Sequence, residues 1–335
     1  MKPQKSTLFT GLLLASTALI ATSGTAMAER TLRATVQVAT NHPIGANVVT
    51  FKEALEKISD GEMNVEIYDS AQLYKGSQVP KAVASGAIDM GVVLADEYSG
   101  TIPAAGIFSV PFLSPSYEVL AKAADPEGEF RQTFDAMIGE TGTKVLWWQD
   151  YGPVQLLSKD EPLTEPSQMN GLLVRAMGKP SGDFIDAVGG TPVVIGGSEQ
   201  FMAYQRGTVD VGMSGTTAVQ SRSLYEVMDN VTMTNHSLAE FIVVINNDLF
   251  EDLSDQEKEW VTEAAMTAEQ DLREKTEDNN VASQEWLADG KATVTELTPE
   301  QLAAWQEAAA PAVGVFIEDG GETAQNLVDA VQALH

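Results

Sequence analysis

Apolar and polar positions in the N-terminal part of the chain alternate between strand-like and helix-like spacing. Apolar runs predict three strands, at residues 32–39, 63–68 and 88–94. Between the first two runs, Phe51, Leu55 and Ile58 recur at helical spacing, and a shorter helix is predicted over residues 79–85. The third run is almost entirely apolar, which is typical of a parallel strand buried on both faces. This strand–helix–strand order predicts an α/β fold.

The C-terminal third of the chain has a helical pattern. Ser254 and Glu257 precede an apolar stripe, and their spacing predicts a capping box at a helix N-terminus. The pattern continues to Asp289-Gly290, so the predicted helix has ~30 residues and a length of about 45 Å. If the chain folds into two lobes, such a helix is longer than one lobe and is expected to run across both. Thr298 begins another helix, with Pro299 at its first position.

A ten-residue pattern occurs twice, at residues 82–91 and 203–212. The shared residues are Ala82, Gly86, Asp89 and Gly91 in the first copy and Ala203, Gly207, Asp210 and Gly212 in the second. In each copy a helix ends on glycine and a short strand follows, with the aspartate expected to brace the turn. Because only a few positions are shared, a coincidental match is the alternative. If the repeat is real, two similar lobes hold one copy each, with a ligand cleft between them.

The first 28 residues have the pattern of a secretory leader. Lys2 and Lys5 precede an apolar stretch over residues 8–21, and Ala26-Met27-Ala28 matches an A-x-A cleavage site. A membrane anchor is the alternative, but the apolar run is too short to span ~30 Å of hydrocarbon. We expect cleavage after Ala28 and no direct insertion in the membrane.

Charge and cysteine content restrict the class of protein. The net charge is −28, and loss of the two leader lysines makes it −30. Such a surface argues against nucleic acid and anionic membrane as partners. The chain has no cysteine, which excludes disulfides, thiolate metal sites and a lipidated thiol. The expected location is the periplasm of a Gram-negative bacterium.

Sequence motifs for catalysis are missing. We find no hydrolase elbow, phosphate loop, dinucleotide fingerprint or zinc-protease motif. The three histidines, His42, His236 and His335, are too scattered along the chain to predict a metal cluster. We therefore expect no catalytic residue, no cofactor and no metal, and an enzyme is the less favoured alternative.

A succession of short motifs runs along the mature chain. The motifs are Ala71-Gln72-Leu73, Gly86-x-Ile88-Asp89, Val110-Pro111-Phe112-Leu113, Trp147 to Gly152, Gly171 to Arg175, Gly189-Gly190-Thr191-Pro192, Ser198-Glu199 and Gly207-Thr208-Val209-Asp210. This succession resembles the solute receptors of tripartite ATP-independent periplasmic (TRAP) transporters, the DctP-like family. Each motif alone is weak, but their order and spacing together are fairly specific.

The resemblance implies two α/β lobes of the periplasmic binding protein fold, a central cleft and a long helix that spans both lobes. The implied division is 29–150 for lobe I, to which 238–270 returns, and 151–237 for lobe II, to which 271–335 returns. It also implies a monomer that closes on a small organic anion and delivers it to the membrane permease subunits of the transporter.

The family's carboxylate-binding arginine ends its "Gly-Leu-x-x-Arg" strand, which here is Arg175. The residues agree, because Arg175 is a charge at the end of an apolar strand and its planar fork matches a carboxylate. A surface salt bridge is the alternative. Many members carry an asparagine where this chain has Ser214, and some add an arginine where it has Gln155; both residues are expected to contact the ligand. Other members have an aromatic residue where this chain has Gly196-Gly197, and the glycines are expected either to leave room beside the ligand or to let the backbone approach it.

Four further residues are candidates for the walls of the cleft. Trp147 and Trp148 face opposite sides of one strand, and we assign Trp148 to the ligand side. Glu97 and Tyr98 follow the third predicted strand, and His42 lies in the loop after the first. For each of these three residues a solvated loop is the alternative.

The sequence thus predicts an extracytoplasmic receptor that captures a small organic anion, such as a carboxylate or related acid, for a TRAP-type secondary transporter. A receptor for an ATP-driven importer or a sensor is the first alternative. A periplasmic enzyme that acts on an organic acid is the second.

Overall fold

The computed structural model describes residues 30–113 and 116–334. The strands are β1 (Arg30–Thr35), β2 (Met63–Tyr68), β3 (Met90–Leu94), β4 (Thr143–Ser158), β5 (Leu173–Ala176), β6 (Thr191–Val194), β7 (Gly212–Ser214), β8 (Asn230–Asn246) and β9 (Thr293–Glu296). The helices are α1 (Pro43–Ile58), α2 (Val79–Ala84), α3 (Tyr117–Ala123), α4 (Glu129–Gly139), α5 (Lys179–Ala187), α6 (Gln200–Arg206), α7 (Thr216–Ser221), α8 (Asn247–Glu251), α9 (Asp255–Ala288), α10 (Pro299–Ala309) and α11 (Pro311–Ala333). The predicted leader and His335 lie outside the described residues.

The predicted N-terminal elements are present, with one boundary that differs. The first predicted strand extended to residue 39, whereas β1 ends at Thr35. Val36 and Val38 are nevertheless buried, and the backbone N–H of Val36 donates to Tyr68 at 2.9 Å. An apolar run indicates that residues are buried, not that they pair in a sheet. Here the buried residues continue into the loop after the last residue of β1.

A seven-stranded sheet runs through the molecule in the order β2-β1-β3-β8-β4-β7, with β9 on β8. The strands β1 to β3 pair in parallel around β1, whereas β8 is antiparallel to both β3 and β4. At one end β3 pairs with residues 241–245 of β8, and at the other end β7 pairs with residues 155–157 of β4. The long antiparallel strands therefore cross from one lobe to the other.

We call the part around β1, β2 and β3 the first lobe, and the part around β5, β6 and β7 the second lobe. The second lobe has its own parallel pair, β5 and β6, which a bridge between Val174 and Val211 connects to the segment before β7. This confirms the two-lobed α/β fold. The predicted division of the chain between the two lobes stays a prediction. The C-terminal helix α11, for example, contacts both the 103–109 turn and α5.

The long helix α9 has the predicted start and reach. The backbone N–H of Glu257 donates to Ser254 Oγ at 3.2 Å, and that of Ser254 donates to the Glu257 carboxylate at 2.8 Å. The helix has 34 residues and is about 51 Å long. It packs against α1 and β4 at one end and against α7 and β9 at the other, so it spans both lobes. Among the described residues, no helix combines the length and the apolar character that a membrane crossing needs.

The two copies of the sequence repeat have the same structural role. The carboxylate of Asp89 accepts a hydrogen bond from the backbone N–H of Arg33 in β1 at 2.8 Å. The carboxylate of Asp210 accepts one from the backbone N–H of Leu173 in β5, also at 2.8 Å. Each aspartate thus ties its turn to the neighbouring strand of its lobe, which argues for a real repeat rather than coincidence.

A buried ion cluster lies where β4 and β8 cross between the lobes. Arg131 on α4 donates to both carboxylate oxygens of Glu269 on α9, at 3.0 and 3.2 Å. Arg273 donates to Asp150 on β4 and to Glu269. Glu240 is fully buried opposite Asp150, and neither of its carboxylate oxygens has a hydrogen-bond partner among the described residues. Burial, together with the charge of Asp150, raises the pKa of Glu240 well above its usual range.

Candidate ligand pocket between the lobes

A small cavity lies between the two lobes, beside the strands that cross between them. Its lining comes from the first lobe (Gln37, Leu94), the crossing strands (Tyr151, Ala239, Phe241) and the second lobe (Arg175, Met177, Gly197, Gln200, Ser214, Gly215, Arg222). Its volume is about 30 Å³, which is room for only a few water molecules. The lobes are therefore closed over a space that must open to admit any larger molecule.

Arg175 points into this cavity from the end of β5. Its side chain is 3 % exposed. The Nε group donates to the carbonyl of Ile195 at 2.9 Å and Nη1 donates to that of Met213 at 2.7 Å. These carbonyls orient the guanidinium without neutralising it, and Nη2 has no partner within the described part of the chain. The strand-end arginine predicted from sequence thus lies at the cavity, and the N–H donors of its Nη2 group are unused.

A second arginine, Arg222, lies at the same cavity and is not predicted from sequence. It follows α7 directly. Its backbone N–H donates to the carbonyl of Ala218 at 3.0 Å, but no hydrogen bond or ion pair joins its guanidinium to any other residue that the structure describes. Burial lowers the pKa of Arg222, and the positive charge of Arg175 lowers it further. No motif marks this position, because the turn at the end of α7 decides where the side chain lies.

Gly197 leaves the space that Arg222 occupies. A Cβ atom at Gly197 would lie 2.9 Å from Nη1 and from Nη2 of Arg222 and 2.9 Å from Gln37 Oε1. The room expected at Gly196-Gly197 is therefore filled by a guanidinium group of the protein.

The remaining polar side chains of the cavity are amides and hydroxyls, each of which can donate a hydrogen bond. Gln37 is buried, and its Nε2 has no hydrogen-bond partner among the described residues. Ser214 is buried with its hydroxyl 3.5 Å from that of Tyr151, and the Tyr151 hydroxyl accepts from the backbone N–H of Gly215 at 3.0 Å. No aspartate or glutamate is among the described residues that line the cavity. A group that fits this surface must accept several hydrogen bonds and carry negative charge.

Ser214 is at the cavity, as predicted, whereas Gln155 is not. The Gln155 Nε2 group donates to Asn235 Oδ1 at 2.7 Å, and its Oε1 accepts from the backbone N–H of Asn235 at 3.0 Å. Both ends of the amide are used to hold an irregular part of β8, where Asn235 has φ 43°.

His42 lies behind the cavity wall. Its ring stacks on Tyr151 with the centroids 5.7 Å apart, and it borders a smaller cavity with Asp150 and Asn280. The His42 Nδ1 accepts from the backbone N–H of Ile44 at 3.0 Å, so the neutral ring carries its proton on Nε2. Burial lowers the pKa of His42 to about 3, and Arg222 contributes to that shift.

The structure corrects the assignment of Trp148 to the ligand side. Trp148 is fully buried and packs among Phe108, Phe130 and Phe134, with ring centroids 5.1–6.3 Å away. Its Nε1 donates to Asp135 at 2.8 Å. Trp147 is also fully buried on the opposite face, against Phe51. Both faces of β4 are covered at this point, so neither indole reaches the cavity.

Tyr98 and Glu97 do not line the cavity either. Tyr98 is 2 % exposed, and its hydroxyl is 3.2 Å from that of Thr143 in the first-lobe core. Glu97 is half-buried beside the cavity, in the seam between the lobes. Burial and the charge of Asp96 raise the pKa of Glu97 to about 7.

Within residues 30–113 and 116–334, no group of three or more histidine or carboxylate side chains could hold a metal ion.

Comparisons with known proteins agree with this architecture. The model of the family described as bacterial extracellular solute-binding protein, family 7 (DctP), matches residues 34–319. The C4-dicarboxylate-binding periplasmic protein DctP of Rhodobacter capsulatus is 29% identical over 90% of this chain and 91% of its own length. The ectoine-binding periplasmic protein TeaA of Halomonas elongata is 28% identical over 84% and 83%, respectively.

Solved structures show the same fold. A TRAP periplasmic solute-binding protein from Sulfurospirillum deleyianum with bound succinate has a TM-score of 0.84 and 26% identity, and covers 92% of this chain and 100% of its own. The sugar acid binding protein DctPAm of Advenella mimigardefordensis with galactonate has a TM-score of 0.87 and 23% identity, and covers 92% and 99%.

Proposed function

The chain belongs to family 7 of the bacterial extracellular solute-binding proteins, and from this premise we propose that it captures a small organic anion in the periplasm and delivers it to a TRAP-type transporter. One observation carries the ligand class. Two guanidinium groups, those of Arg175 and Arg222, line one cavity whose other described residues include no carboxylate. In a chain of net charge −28, two such arginines are most simply explained by an anion that arrives from outside.

The arginines and their neighbours have complementary roles in this proposal. Arg175 is held by two carbonyls, so its remaining donors are fixed toward the ligand and little side-chain entropy is lost on binding. Arg222 adds a second positive charge from the same lobe, and Ser214 adds a hydroxyl. Gln37 donates from the first lobe. An anion bound to the second lobe therefore gains a further hydrogen bond when the first lobe closes over it. Closure then follows from higher affinity for the closed form.

The names of the relatives support an acid as the ligand without deciding which acid. The Rhodobacter capsulatus relative is a C4-dicarboxylate-binding protein, and the Sulfurospirillum deleyianum structure holds succinate. We propose that this chain acts as a monomer, binds without catalysing a reaction, and passes its ligand to membrane permease subunits. An acid recovered unchanged after prolonged incubation with the protein would support binding without turnover, and a converted acid would favour an enzyme.

A thermal-shift screen tests the ligand class. We expect small carboxylates or sulfonates to raise the melting temperature, because ligand at about 100 times its dissociation constant adds about 2.7 kcal/mol to the free energy of unfolding. Uncharged sugars and simple amines form the control set. Stabilisation by the control set alone would contradict the proposal.

Export is a separate part of the proposal. We expect the leader to be cleaved after Ala28, so that N-terminal sequencing of the protein from a periplasmic extract begins at Glu29. A mature protein that retains residues 1–28 and fractionates with membranes would rule out this processing.

A further inference from the structure

Two adjacent carboxyl groups without cationic partners lie in the seam between the lobes. Asp96 follows β3 and is 3 % exposed, and its Oδ2 has no hydrogen-bond partner in the described chain. It faces the start of α5, where a Cβ atom on Gly178 would lie 3.2 Å from Oδ2. Glu97 is the next residue and is half-buried, and its carboxylate has no hydrogen bond or ion pair with any described residue. Two other buried carboxylates, Asp150 and Glu269, are paired with arginines, whereas Glu240 in the same cluster is not.

The lysines near this seam are already used. Lys75 pairs with Glu199 at 2.6 Å. Lys179 pairs with Asp183 at 2.8 Å and with Asp319 at 2.5 Å. The uncompensated acids therefore do not gain a cation from the lysines beside them.

The uncompensated acids and the uncompensated arginines are neighbours. Met177 lines both the arginine cavity and a wider cavity of about 420 Å³ that Asp96 and Glu97 border. The charge of Arg175 acts on both carboxyl groups, yet no ion pair joins them among the described residues. The closed cleft thus has a positive end and a negative end that no ion pair connects.

We propose that the ligand is a zwitterion, with its acid group at Arg175 and Arg222 and a protonated nitrogen at Asp96 and Glu97. This inference rests on the proposed function, because it takes the arginine cavity as the site of the ligand's acid group. A molecule that carries both charges supplies each end of the cleft with its missing partner. A plain anion pairs with the arginines but leaves the two carboxyl groups buried without a cationic partner.

The alternative is that protons, rather than a ligand cation, neutralise the acids on closure, and the two cases differ in pH dependence. Burial raises the pKa of Asp96 and of Glu97 to about 7 each, against the opposing charge of Arg175. In the open cleft, solvent returns both groups toward their ordinary values near 4. Closure on a plain anion then takes up protons, so its affinity falls as the pH rises from 5 to 8. A ligand cation keeps both groups ionised, so the affinity of a zwitterion does not fall over this range.

Ligand pairs that differ only in the positive group test the proposal. Suitable pairs are 4-aminobutanoate with butanoate and taurine with ethanesulfonate, each titrated by calorimetry into the full mature chain at pH 5, 6.5 and 8. We expect the zwitterion of the best-bound pair to bind roughly tenfold or more tightly than its partner at pH 8, because a hydrogen bond to a charged group is worth that much. Equal affinity of the two members, or tighter binding of the plain anion, would overturn the subsite.

Substitution of the acids separates this subsite from the arginine cavity. Glu97→Gln and Asp96→Asn are expected to weaken the zwitterion and to leave the plain anion unchanged or bound more tightly. Glu199→Gln is the matched control, since it removes a seam carboxylate that Lys75 already neutralises, and the zwitterion-to-anion affinity ratio should not change. Loss of both ligands to the same degree in Glu97→Gln, with an unchanged melting temperature, would refute the assignment. Binding of uncharged compounds only would instead refute the proposed function itself.

Discussion

Replacement of Arg175 by alanine is expected to weaken binding of the organic anion by roughly 2–5 kcal/mol. Arg175 is 3 % exposed and its guanidinium is fixed by the carbonyls of Ile195 and Met213, so an anion bound there is removed from water. Truncation of Arg175 leaves that anion buried with fewer partners, which accounts for most of the loss. Isothermal titration with the ligand identified by the screen measures the change.

The folded state of Arg175→Ala should be close in stability to the parent without ligand. Two carbonyls lose their donors, but Arg222 no longer faces a second positive charge. The melting temperature of the unliganded protein measures this balance and shows whether lost binding comes from lost folding.

Three further variants make the Arg175 result specific. Arg175→Lys keeps the charge but loses the planar fork, so it should recover only part of the affinity. Arg222→Gln should also weaken binding, since it removes the second positive charge from the same cavity. Arg206→Ala, an exposed arginine at the end of α6, should change affinity by less than about 1 kcal/mol. Wild-type affinity in Arg175→Ala would remove this arginine from the site.

The fold was predictable because burial leaves a periodic trace in the sequence. Completely apolar β3, the capping box at Ser254 and the glycine-terminated repeat each constrain local structure by themselves. The order of the seven-stranded sheet is different, because it depends on which distant segments pair. The crossing of β4 and β8 between the lobes brings residues 143–158 and 230–246 together, and no local pattern in either segment specifies that register.

The candidate site was predictable only in part, for physical reasons that differ from residue to residue. Arg175 stands out because a charge at the end of an apolar strand is unusual. Arg222 follows a short helix, and its path into the cavity depends on the turn after α7 and on space left by Gly197 in another segment. Trp148 was wrongly placed because strand alternation separates two faces but does not reveal that both are buried.

Replacement of Arg131 by methionine is expected to lower the free energy of unfolding by about 3–5 kcal/mol, the range measured when one partner of a buried ion pair is removed. Arg131 donates to both oxygens of Glu269, to Asp135 at 2.6 Å and to the carbonyl of Ala124 at 3.1 Å. Its guanidinium also lies 4.6 Å from the centre of the Trp148 ring. Methionine fills much of the volume but leaves two buried carboxylates with less positive charge.

The loss from Arg131→Met should increase with pH. Burial raises the pKa of Asp135, and Arg131 now opposes that rise. Without the arginine the pKa of Asp135 rises further, and an acid with a raised folded-state pKa loses stability as the pH rises through that value. Chemical denaturation at pH 5 and pH 8 should therefore give a smaller loss at pH 5. Lys275→Met, which breaks an exposed pair with Asp271, is the control and should change stability by less than about 1 kcal/mol at either pH. An equally small change in Arg131→Met would mean that the buried cluster contributes nothing to holding α4 and α9 together.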